Sequence, residues 1–94
     1  MTGVEHARRM RGRKAAVLGA VGGGRKLPAD VIREPPACLL KTDLWELLLN
    51  CPQLGPQRAR IICERARVFP NVQLGRMTEV ERVLIIHHLP RRYK

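Results

Sequence analysis

The sequence predicts an all-α fold, a small helical bundle preceded by a basic N-terminal helix, and three observations predict it. Apolar residues make up 45% of the chain, yet its only aromatics are Trp45, Phe69 and Tyr93. Leu, Ile, Val and Ala must therefore supply the core, whereas a sandwich or barrel would draw more heavily on aromatics and Thr. Apolar positions recur with helical spacing, as in Ala59, Ile62, Cys63 and Ala66, rather than alternating. Glycine and proline clusters then cut the chain into short helical stretches. With 94 residues the chain makes one small domain with a modest core.

The first segment, Val4 to about Val21, is rich in helix formers. Met10, Val17 and Val21 share one helical face, with Leu18 beside them. Gly12 and Gly19 weaken that helix, and Gly22-Gly23-Gly24 ends it. Residues 1–26 hold seven bases and one acid, so they are expected to form a basic helix and break that contacts a polyanion and stays out of the core; a disordered basic tail is the alternative. Residues 27–94 form the expected folded unit. Pro28 opens the short helix "PADVIRE", which Pro35-Pro36 stops, and "ACLLK" adds another turn.

The clear helical core begins at Thr42. Asp43 caps it, with Glu46 three residues on. Leu44, Leu47, Leu48 and Cys51 form one face, while Trp45 and Leu49 form another, so burial on most sides is expected. The turn "CPQLGP" leads into a helix from Pro56 to about Val68, with Arg58 and Arg65 edging its apolar stripe on one side and Arg60 and Arg67 on the other. "FPNVQLGRM" is a long connection for a bundle, with Pro70 and Asn71 as turn residues. Thr78 and Glu81 spell a capping box for the last helix. Its inner face is expected to carry Val80, Val83, Leu84 and a satisfied His87, with Ile85 and Ile86 turned away. "PRRYK" reads as a basic, mobile tail.

Charge narrows the function. Eighteen Lys and Arg face eight Asp and Glu, a net +10, and most of the bases are Arg, which forks onto phosphate with two donors. Nucleic acid is the expected partner. Apolar runs such as Val83–Ile86 and Leu47–Leu49 fall far short of a bilayer span, so no membrane partner is expected. The apolar part of the N-terminal segment is short and glycine-interrupted, unlike a signal peptide, which makes the expected location cytoplasmic. Cys38, Cys51 and Cys63 lack metal-site spacing and read as reduced core thiols. No metal, no cofactor and no catalytic constellation is expected. The acids sit largely at expected helix starts, where capping accounts for them.

The turn before Pro56 is the most specific local feature. It leaves backbone N–H groups near a helix N-terminus without intrahelical partners, where the helix dipole adds positive potential. Gly55 has no side chain to obstruct an approaching anion, and Arg58 lies one turn into the helix. This arrangement suits a phosphate, and so a nucleic-acid backbone recognised without reading bases.

The motif P-x-L-G-x-x-R-A-x-x-I at Pro52 to Ile62, with the long connection and "MTEVERVLIIHHL", resembles a helix-two-turn-helix module. That module occurs in ribosomal protein S13, formamidopyrimidine-DNA glycosylases and the integration host factor of actinobacteria. The last is most similar, over about Ala7 to Leu89, through its small size, arginine-rich N-terminal helix, glycine break and leucine-rich "LWELLL". The resemblance implies a nucleoid-associated protein that binds double-stranded DNA with little sequence preference, bends or compacts it, and assists site-specific integration with recombinase complexes. Its DNA contacts would be Arg8, Arg9, Arg11, Arg13 and Lys14 on one surface, and Leu54, Gly55, Gln57, Arg58, Arg65 and Arg76 on another. The chain departs from the family at Pro56, where a lysine is common, and in the connection, which keeps Arg76 alone. An S13-like RNA-binding role is the runner-up, against which stands the concentration of charge at the N-terminus rather than in a C-terminal extension. A protein-binding adaptor is a third reading. A monomer is the favoured state.

Overall fold

The computed structural model describes residues 3–94, with side chains from residue 11 onward. Five α-helices follow in order: α1 Gly3–Gly22, α2 Pro28–Arg33, α3 Leu44–Leu49, α4 Gly55–Ala66 and α5 Glu79–His88. Short 3₁₀ turns at Ala37–Leu39, Leu74–Arg76 and Arg91–Tyr93 join or close them. The all-α fold stands, and the described residues form no strand beyond an isolated antiparallel bridge between Asp43 and Gln73.

Local signals account for the helix boundaries. α1 ends in paired bonds from Gly24 N to Val21 O (3.1 Å) and from Arg25 N to Ala20 O (2.8 Å), which satisfy its last carbonyls. Asp43 caps α3 by accepting from Glu46 N at 2.9 Å. Thr78 and Glu81 form the full reciprocal capping box of α5, at 3.1 and 2.8 Å.

The core draws on every helix. Leu44, Leu47 and Leu48 of α3 are fully buried, facing the α4 stripe of Ala59, Ile62, Cys63 and Ala66. α5 packs on α4 and α2, and its Arg82 guanidinium donates to the Ile32 carbonyl at 2.7 Å. The connection after α4 is no free loop. It runs antiparallel to residues 40–45 through Trp45 N to Pro70 O (2.9 Å), Leu44 N to Val72 O (2.8 Å), Leu74 N to Thr42 O (2.8 Å) and Gly75 N to Leu40 O (2.9 Å).

Four expectations need correcting. The C-terminal half of α1 belongs to the core: Leu18 and Val21 are buried and Val17 packs against them. The far side of α3 is open, since Leu49 is 45% exposed and Trp45 half-buried. α5 is turned the other way round, with Ile85 and Leu89 buried while Val80 (67% exposed), Val83 (63%) and His87 face solvent. The C-terminal segment has a fixed place, because Tyr93 is buried and its hydroxyl donates to the Pro52 carbonyl.

Candidate nucleic-acid interface

The turn from Pro52 to Gly55 joins α3 to α4 through two left-handed residues, Gln53 (φ 63°) and Gly55 (φ 77°). Leu54 between them is buried and anchors the turn to the core. Cys51, at the foot of the turn, donates its thiol to Leu47 O, and burial pushes its pKa up to about 12. Glutamine is costly at a left-handed position, so something must hold Gln53 there. Its side-chain oxygen accepts from the Arg92 guanidinium at 2.8 Å, and Arg92 in turn lies 5.2 Å from the centre of the Tyr93 ring. The C-terminal turn thus clamps the α3–α4 turn from outside.

Beyond that clamp the start of α4 is open. Gly55, Pro56, Gln57 and Arg58 are all exposed, no side chain caps the helix, and space around Gly55 is empty to 4 Å from where a Cβ would stand. An approaching anion would meet uncapped N–H groups, the positive end of a twelve-residue helix, Arg58 from within it and Arg92 beside it. Arg65 is exposed seven residues along the same helix, roughly 10 Å farther at 1.5 Å per residue.

The remaining expected contacts are not gathered here. α1 runs beside α3 in the same direction, with Lys14 paired to Glu46 at 3.1 Å and Gly22 close against the Asn50 carbonyl. Arg11 and Arg13 are exposed, but they lie nine to eleven residues before Gly22, roughly 13–17 Å back along α1 and away from the turn. Lys14 is half-buried and already tied to α3. Arg76 is exposed at the end of the 3₁₀ turn beside Leu40, at the opposite end of α3 from Gly55. The side chains of Arg8 and Arg9 lie outside the described residues.

Two bases of the segment expected to be a mobile tail, Arg91 and Arg92, stand exposed at the clamp. The available signal was Tyr93, one of three aromatics in the chain and the only one so near its end. Among the described residues only Lys14 and Arg33 form ion pairs, so most of the basic charge is unneutralised by protein. No group of three His, Cys, Asp or Glu side chains that could hold a metal ion occurs among the described residues. None of their helices is long and apolar enough to cross a membrane.

No family model matches the sequence, and no curated protein does. The fold is similar to that of sIHF in its structure bound to an 8-bp palindromic DNA. The likeness has a TM-score of 0.76 at 20% identity and covers 88% of this chain and 96% of that one. At that identity it is the fold that the two share.

Proposed function

We propose that this chain is an integration-host-factor-type, nucleoid-associated protein that grips duplex DNA by its phosphates with little sequence preference. Likeness of fold to sIHF, solved on DNA, carries the reading. The uncapped, arginine-flanked start of α4 supports it, because such a site suits a phosphate, and phosphate contacts position a protein without carrying sequence information. Residues 27–94 would dock one DNA surface through Gly55, Gln57, Arg58 and Arg92, with Arg65 farther along the backbone. Residues 1–26 would engage a second stretch through Arg11 and Arg13, whose separation from the turn suits bending or compaction of one duplex. A role beside recombinases in site-specific integration, and residence in the bacterial nucleoid, extend the same proposal.

The experiment is duplex affinity measured across salt concentrations, beside single-stranded DNA and structured RNA. A site engaging about four to six phosphates gives a log–log slope of roughly −4 to −5. Arg58→Ala should reduce that slope by about one at unchanged melting temperature. Gly55→Glu should abolish the contact by bulk and by repulsion, while Gly55→Ala controls for backbone strain. A well-folded Arg58→Ala protein that binds duplex like wild type, with the same slope, would remove the α4 site. Preference for structured RNA over duplex would favour the S13-like reading.

A further inference from the structure

The exposed face of α5 is an apolar part of the surface that the DNA reading leaves unexplained. Val80, Val83, Leu84 and His87 fall at i, i+3, i+4 and i+7, one continuous stripe directly opposite the buried side formed by Ile85 and Leu89. Val80 and Val83 are about two-thirds exposed, more than any other large aliphatic side chain described. A stripe of that spacing is the seam that helices use to pair.

Charge indicates what covers it. Residues 78–89 carry Glu79, Glu81 and Arg82, a net of −1 in a chain of +10, so this helix adds none of the like-charge repulsion expected between two strongly basic copies. The two ends of the helix also differ. Glu79 stands at the start, whereas at the end the Lys94 ammonium donates to the His87 carbonyl at 2.9 Å. Both residues line one groove of about 590 Å³ running beside the stripe against α2. Turned end for end, a second α5 brings its Lys94 to Glu79 and its Glu79 to Lys94. Two-fold symmetry then satisfies both pairs at once.

We infer that the α5 stripe is the contact of a weak, antiparallel, two-fold homodimer, with Val80 opposite the second copy's His87 and Val83 opposite its Leu84. This goes beyond DNA binding and does not depend on it. Two short helices bury less than the roughly 1,000 Å² of a persistent interface, so the dimer forms reversibly at high local concentration. In that state it presents two α4 sites at once. The monomer favoured from the sequence becomes the dilute form.

Sedimentation equilibrium without DNA tests the proposal, and leaving out DNA separates its failure from failure of the DNA reading. Wild type should pass reversibly from monomer to dimer with rising concentration. The dimer should strengthen from about 0.1 M to about 0.5 M salt, as screening weakens the repulsion between two strongly basic chains. Val83→Glu, at an exposed position, should weaken dimerisation at least about tenfold at unchanged melting temperature.

Register is read from disulfide trapping in a Cys38→Ser background, where Cys51 and Cys63 stay buried. In the proposed pairing two copies of position 83 lie about 1.5 Å apart along the axis, and two copies of position 80 roughly 10 Å apart. Val83→Cys should therefore couple to itself quickly and Val80→Cys slowly, whereas mixing Val80→Cys with His87→Cys should restore coupling. A protein that stays monomeric to about 1 mM (Kd weaker than ~−4 kcal/mol of association) overturns the inference and leaves the face to some other partner. Dimerisation untouched by Val83→Glu overturns it, as does Val80→Cys coupling to itself as fast as Val83→Cys.

Discussion

Gly75→Ala should be the most damaging single-methyl change in this protein, although Gly75 lies on the surface and its backbone angles suit any residue. A Cβ there would stand 2.9 Å from the Leu40 carbonyl oxygen, 3.0 Å from its Cβ and 3.1 Å from its Cδ2. Ordinary contacts lie at about 3.5–4.0 Å, so the two segments must part by roughly half an ångström. The nearest obstacle is backbone, and the same carbonyl accepts from Gly75 N. Weakening that bond costs about 1 kcal/mol and the overpacking a further ~1–3 kcal/mol. The smaller entropy of the unfolded alanine chain returns about 0.4–1 kcal/mol. The net loss is about 2 kcal/mol from a total of roughly 5–15 kcal/mol, or about 10 °C in Tm. Gly55→Ala makes the complementary case. Nothing lies within 4 Å of its Cβ, and only the left-handed φ of 77° resists it, at about 1–2 kcal/mol before the same entropic return. Urea unfolding followed by far-ultraviolet circular dichroism, with m unchanged, measures both. Leu40→Ala should not rescue Gly75→Ala, because the carbonyl remains. Gly75→Ala within about 0.5 kcal/mol of wild type, or less harmful than Gly55→Ala, would refute the reasoning.

Tyr93→Ala should cost about 3 kcal/mol by emptying a buried ring site, and should weaken duplex binding through the released turn; Tyr93→Phe should cost about 1 kcal/mol, and comparing urea midpoints with affinities separates the effects. Deleting residues 1–13 should leave cooperative unfolding intact, whereas deletion through residue 22 removes buried Leu18 and Val21 and should cost about 3–6 kcal/mol, as read by thermal melting. Burial raises the Cys51 pKa to about 12 and that of Cys63 to about 11, the latter with help from Glu64, above the ordinary value of 9.0. Below pH 9 both thiols are protonated in folded and unfolded chains alike. Above it the unfolded chain loses its protons first, so stability should fall from about pH 9 to 11 by up to ~1.4 kcal/mol per pH unit and thiol. A thiol reagent at neutral pH should modify Cys38 first in the folded protein and all three cysteines in urea.

How much of this protein could be read from its sequence depends on how local each decision is. The α4 stripe, the caps at Asp43 and Thr78 and the stop at Gly22-Gly23-Gly24 were legible because each is settled within a turn or two of backbone, by side-chain period and the pairing of terminal N–H and C=O groups. Gly55, Arg58 and the open start of α4 were legible for the same reason. The orientation of α5 was not. Val80, Val83, Leu84, Ile85, Ile86 and Leu89 place apolar groups nearly all round the helix, so two opposite faces satisfied the periodicity equally well. Only docking against α4 and α2, with Arg82 reaching the Ile32 carbonyl fifty residues away, chose Ile85 and Leu89. The long connection looked like a loop because, beyond the local bonds from Val72 N to Phe69 O and from Arg76 N to Gln73 O, the hydrogen bonds that fix it go to residues 40–45, some thirty positions earlier. Likewise, Arg92 joined the candidate site and Lys14 left it through Gln53 and Glu46, partners 39 and 32 residues distant. Backbone chemistry and side-chain period fix what a segment can form. Which face it buries, and which charges remain free for a partner, depends on distant groups competing for the same surface and the same hydrogen bonds.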